Sequence, residues 1–132
     1  MNLRAVFVAI QAALPHMGPG GRIINTGSVT ADRAAFAGSA VYSMTKGALA
    51  ALTRGLARDL GPRGIAIYTV QPGPTETDIN DNEALRERLR PLIALGGMGR
   101  DTEIAGLVAF LAGTEAGFIT GAALTIDGGY LA

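Results

Sequence analysis

Ile65-Ala66-Ile67-Tyr68-Thr69-Val70-Gln71-Pro72-Gly73-Pro74 reads as a strand that runs into a break. The run is apolar on both faces up to Val70, and strands of that kind belong in parallel sheets covered by helices. Upstream, Gly61-Pro62-Arg63-Gly64 stops a long helical pattern, in which Tyr42, Thr45, Leu49, Leu52, Leu56 and Leu60 recur on a 3.6-residue period. Before that helix, Arg22-Ile23-Ile24-Asn25 reads as a strand opening into the loop Thr26-Gly27-Ser28. The breaker cluster His16-Met17-Gly18-Pro19-Gly20-Gly21 ends an earlier helix with apolar positions at Leu3, Val6, Phe7, Ile10, Leu14 and Met17.

Downstream of Pro74, residues 78–103 hold ten of the chain's 22 charges and read as a solvated flap. Leu85, Leu89, Leu92 and Ile93 mark a small amphipathic helix within it. Ile104, Leu107, Val108 and Leu111 mark another helix, and Ala123-Leu124-Thr125-Ile126-Asp127 a last strand closed by Gly128-Gly129. The order helix, strand, helix, strand, helix, helix, strand implies an α/β fold with a mostly parallel sheet. Residues 1–132 form a single unit without a linker. Three strands make a thin sheet with two exposed edges, so the pattern predicts half of a larger doubly wound domain.

Composition fits that reading. The 132 residues are 48% hydrophobic and 17% charged, with 11 basic and 11 acidic side chains. A mean hydropathy of +0.31 excludes a disordered chain. The balanced charge gives no reason to expect nucleic acid or an anionic membrane as partner. Nineteen glycines point to turns and close backbone approaches. Cysteine is absent, which excludes disulfides, thiolate catalysis and Cys-ligated metal, and suits a cytoplasmic enzyme. Ala5 to Leu14 is apolar enough to suggest a signal segment, but Gln11 interrupts it and its periodicity is helical.

Tyr42 and Lys46, the only lysine, are four apart and share one helix face. A free phenol ionises near ~10, too high for a base at neutral pH. An adjacent ammonium favours the phenolate, so the pair suits general acid/base work. The same spacing also suits a packed ring beside a solvated lysine. Ser28 lies just past the carboxyl end of a strand, where open α/β sheets bind ligands. Its hydroxyl can hydrogen-bond a reacting carbonyl, or cap a turn. Pro72-Gly73 and Gly128-Gly129 also follow strands and allow either close approach to a ligand or tight turning. His16 reads as a helix-end cation, and Asp78, Asp81 and Glu83 as a solvated acidic turn rather than a metal site. No G-x-G-x-x-G or Walker A loop is present. Small residues recur as Ala5-Ala9-Ala13 and Gly47-Ala51-Gly55 on the two long helices.

Read in order, Asn2-Leu3-Arg4-Ala5-Val6-Phe7, Gly21 to Ser28, Tyr42-Ser43-Met44-Thr45-Lys46, Gln71 to Asp78, Phe118-Ile119-Thr120-Gly121 and Ile126-Asp127-Gly128-Gly129 resemble the C-terminal half of a short-chain dehydrogenase/reductase of the classical type. The branch it is similar to is that of the 3-oxoacyl-acyl-carrier-protein reductases and glucose dehydrogenases. The resemblance runs from residue 2 to 130 and implies a Rossmann-type sheet of which the last three strands are present. It also implies NAD- or NADP-dependent hydride transfer between a nicotinamide and a carbonyl/alcohol pair. On this resemblance Tyr42 is the general acid/base, Lys46 holds the nicotinamide ribose, and Ser28 orients the substrate carbonyl. Asn2 anchors a water in the proton relay, and Pro72, Gly73, Thr75 and Thr77 line the nicotinamide. Residues 78–100 form the substrate flap, which has no aromatic residue for stacking.

The family's N-terminal half, with its Gly-rich pyrophosphate turn and the residue that selects NAD or NADP, has no counterpart in these 132 residues. Two expectations follow: an oxidoreductase of this family, forming a homodimer or homotetramer through the long helices, or an inactive fragment that only self-associates.

Overall fold

The computed structural model describes residues 2–78 and 82–132, Asn2 by its backbone alone. Seven main elements follow in the predicted order: α1 (Asn2–Ala13), β1 (Arg22–Thr26), α2 (Ala40–Leu60), β2 (Ala66–Pro72), α3 (Glu83–Leu89), α4 (Asp101–Ala112) and β3 (Ala122–Ile126). The strands form one parallel sheet in the order β1-β2-β3. Arg22 pairs with Ala66, and Tyr68 with Ala122. Parallel neighbours need crossover connections; α2 supplies the first, and α3 with α4 the second.

Central β2 is buried from Ala66 to Gln71, as its two apolar faces require. Ala66, Tyr68 and Val70 point to one face and pack with Leu111 of α4, Ala116 and the flanking Leu107 and Val108. The alternate residues face α2, where Thr53 meets Thr69. A second cluster of Val29, Leu89, Ile93 and Tyr130 joins the loop after β1, the flap and the C-terminal turn. No helix among the described residues is long and apolar enough to cross a membrane.

Two details differ from the sequence expectation. β2 continues through Gln71 to Pro72, because β1 ends at Thr26, opposite Val70. The amide that Pro72 lacks therefore has no ladder partner to miss, while Gly73 N–H donates to Ile126 C=O at 2.9 Å. The apolar stripe of α1 is only partly covered: Ile10 is 5% exposed, but Leu3 and Phe7 are 40% and 42% exposed. A three-stranded sheet offers this helix little surface to rest on.

Candidate functional site

All three strands end on the same side of the sheet, and a cleft of about 990 Å³ opens there. Its walls are mostly apolar. Ser28, Tyr42, Lys46, Pro72, Gly73, Thr75 and Thr77 all line it. These seven come from three separate stretches of sequence, and the topology brings them together. Of the candidate site residues, the Asn2 side chain lies outside the described residues, as does Asp81 of the acidic turn.

Helix α2 sets the first pair. One turn separates Tyr42 from Lys46, and the Lys46 Nζ lies 5.5 Å from the Tyr42 ring centroid. The same ammonium donates to the C=O of Thr26, the last residue of β1, at 2.9 Å. Tyr42 is 45% exposed, so its ring stands at the mouth of the cleft rather than in the core.

Ser28 caps the turn that follows β1. Its backbone is extended, and its Oγ accepts from Thr30 N–H at 3.2 Å, capping a short 3₁₀ turn. Thr30 Oγ1 donates to the same oxygen at 2.9 Å. A hydroxyl has two lone pairs and one proton, so two accepted bonds leave the Ser28 proton to donate to a third group in the cleft. The Ser28 C=O accepts from the buried Gln71 side chain at 3.2 Å.

The glycines have structural causes. A Cβ on Gly73 would lie 2.5 Å from Asp127 Cβ, and one on Gly27 2.5 Å from Thr69 Cγ2. Gly128 and Gly129 have φ of 63° and 84° and press against Ile93 and Ala94 of the flap. Leu95 N–H donates to Gly128 C=O at 3.0 Å. Tight turning, rather than approach to a ligand, explains this last pair. Thr75 Oγ1 donates to Gly73 C=O at 2.9 Å, and Thr75 bridges Gly99, tying the chain after β2 to the start of α4.

The cleft also contains residues that spacing did not reveal. Phe36 and Tyr130 bring aromatic rings to its wall, so the lack of aromatics in the flap does not leave the cleft without them. Arg88 lies 5.2 Å from the Phe36 ring and Arg33 5.3 Å from the Tyr130 ring. Arg33 Nη1 donates to Tyr130 C=O at 2.8 Å. Tyr130 follows Gly128-Gly129 with no periodic signal, and only the long-range fold places it here. His16 ends a 3₁₀ turn after α1, as its sequence neighbours suggest. Among the described residues, no group of His, Cys, Asp or Glu is arranged to hold a metal ion.

Comparison with known proteins adds four findings. The family model described as enoyl-(acyl carrier protein) reductase matches residues 1–131. The cyclic-di-GMP-binding biofilm dispersal mediator protein of Escherichia coli strain K12 is 50% identical over 131 residues, covering 98% of this chain and 55% of that one. A short-chain dehydrogenase/reductase from Serratia marcescens BCRC 10948 superposes with a TM-score of 0.94 at 55% identity, covering 99% of this chain and 54% of its own. A blue fluorescent protein from a metagenomic library, solved in complex with NADPH, superposes with a TM-score of 0.94 at 52% identity, covering 99% of this chain and 53% of its own. The chain thus spans about half the length of the relatives it matches.

Proposed function

The chain belongs to the short-chain dehydrogenase/reductase family, and from that premise we propose that it forms the catalytic half of an NAD- or NADP-dependent oxidoreductase acting on a carbonyl/alcohol pair. One observation carries the reading: every described residue assigned to catalysis or cofactor by resemblance lines a single cleft at the carboxyl ends of the strands.

The donor set fits a nicotinamide nucleoside. Lys46 Nζ spends one of its three donors on Thr26 C=O, leaving two for a ribose diol. The mostly apolar lining suits a flat ring, with Pro72, Gly73, Thr75 and Thr77 along one side. A bound nicotinamide supplies or accepts the hydride. Tyr42 passes the proton to or from the substrate oxygen, and Ser28 Oγ–H donates to that oxygen and orients it. Lys46 holds its ammonium beside the Tyr42 ring, 5.5 Å from its centroid. Asn2 is assigned to anchoring a relay water.

The E. coli relative's name raises a cyclic dinucleotide as another ligand. Two phosphates call for paired cations, and Lys46 is the one cation among the described residues lining the cleft. A nicotinamide-dependent carbonyl chemistry, in the cytoplasm, is the better-supported reading.

A second reading rests on β1, which among the described residues pairs only with β2 and leaves its other edge open. An unpaired parallel edge favours association. The chain alone then self-associates without turning over substrate. The exposed Ala5, Ala9 and Ala13 of α1, with exposed Ala51 and Gly55 of α2, suit close helix contacts in a homodimer or homotetramer. Equilibrium binding of NADH and NADPH, combined with sedimentation, separates the two readings. Micromolar binding supports the oxidoreductase. Oligomers that bind neither nucleotide up to millimolar concentration support the inactive fragment.

A further inference from the structure

We infer that Gln71 is a positioning residue that holds Ser28 in its working orientation, with Asp32 taking its second amide proton. The inference rests on the reading of Ser28 as the group that orients the substrate oxygen.

Gln71 does not line the cleft. It is 2% exposed, at the end of β2, behind the loop that carries Ser28. Its Nε2 donates to Ser28 C=O at 3.2 Å and to Asp32 Oδ2 at 3.1 Å. The two bonds span 43 and 39 residues of sequence, so they clasp the loop to the sheet rather than stabilise a local turn.

The chemistry of the partners fixes the direction. A backbone carbonyl and an ionised carboxylate both only accept hydrogen bonds. A side-chain amide has one accepting and one donating end, and a flipped amide would set its oxygen against two other oxygens. The Ser28 carbonyl and Asp32 together select the rotamer in which both amide protons are used, one on each partner. With the Ser28 carbonyl held, the backbone turn from Ser28 to Thr30 is held as well. That turn places Thr30 N–H and Oγ1 on the two lone pairs of Ser28 Oγ and aims the Ser28 proton. The neighbouring Arg33 secures the far end of the same loop by donating to Tyr130 C=O at 2.8 Å.

The test compares Gln71→Met, which keeps length and bulk but removes both donors, with Asp32→Asn, which keeps an accepting oxygen. The first readout is amide hydrogen exchange in the 132-residue chain, measured without substrate. Gln71→Met should speed exchange at Thr30 N–H at least tenfold while the amides of residues 66–70 are unchanged, and Asp32→Asn should stay close to the parent. Unchanged Thr30 exchange in Gln71→Met would overturn the inference, as would a general loss of protection across β2. The second readout is turnover. Gln71→Met should lower kcat by up to about a hundredfold, the scale expected of a displaced catalytic group, with the KM for the nicotinamide unchanged. Ser28→Ala is run beside it. If Ser28→Ala leaves turnover intact, the functional reading of Ser28 fails, and Thr30 exchange still decides whether Gln71 holds the loop.

Discussion

The Lys46 ammonium reaches across from α2 to donate to the Thr26 carbonyl at the end of β1, 2.9 Å away. That bond joins the helix bearing Tyr42 to the strand leading into Ser28, so the two halves of the site share one anchor. Its length depends on how α2 seats on the sheet. Seven residues beyond Lys46, Thr53 Oγ1 lies 2.6 Å from Thr69 Oγ1 of β2, and Asn25 Nδ2 donates to Thr53 at 3.5 Å. All three residues are buried.

If Tyr42 passes the proton, Tyr42→Phe removes the acid while keeping the ring. General acid/base groups contribute roughly 10²- to 10⁴-fold, so kcat should fall by that order with little change in nicotinamide affinity. Steady-state kinetics with a titrated cofactor checks both numbers.

The buried threonine pair is a matter of stability. Thr53→Val leaves the Thr69 hydroxyl without its partner in a dry interface and should cost about 1–3 kcal/mol. Replacing both by valine should cost less than the two single changes summed, because neither threonine hydroxyl is left facing a valine and the lost Asn25 bond is counted once. Urea denaturation of the three variants provides the cycle.

Gly73→Ala would drive a Cβ to 2.5 Å from Asp127 Cβ, where the ends of β2 and β3 meet. The backbone must move, at a cost of about 1–3 kcal/mol. Gly55→Ala, where an added Cβ meets nothing within 4 Å, should instead stabilise α2 slightly. Thermal unfolding distinguishes the two signs.

At the start of α4, the Arg100 backbone N–H donates to Glu103 Oε2 at 2.7 Å. This bond, aided by the nearby Arg100 guanidinium, holds the Glu103 carboxyl below its ordinary value. A carboxyl lowered on folding adds stability above its unfolded value and loses it as pH falls through the lower, folded one. Wild type and Glu103→Gln should therefore differ near neutral pH and converge below the usual carboxylate range. Denaturation midpoints measured from neutral to strongly acidic pH would show it.

Much of the fold was legible because helical and strand periods alternate cleanly. Ile65 to Val70 is buried throughout, and the stripe of α2 is buried at Leu49 and Leu60 and half-buried at Leu52 and Leu56, while Tyr42 at its start stays exposed. Residues that line the cleft were legible where they lie close in sequence, as with Tyr42 and Lys46, or near a strand end, as with Ser28 and Pro72-Gly73. Gln71, Arg33 and Tyr130 were not. Their partners lie 39 to 97 residues away, and contacts of that range leave no periodic trace. The close approach of Asp127 to Gly73, which leaves no room for a Cβ, likewise left no trace in the sequence.

The central claim is that Ser28, Tyr42 and Lys46 form a working reductase site. The most direct measurement joins this chain to the half of the Serratia marcescens relative outside the match, and follows NADPH oxidation against a 3-oxoacyl thioester. The account predicts turnover that yields one 3-hydroxyacyl product per NADPH and falls at least a hundredfold in Tyr42→Phe. A hybrid that binds NADPH but turns over equally well with Tyr42 or Phe at that position would contradict it.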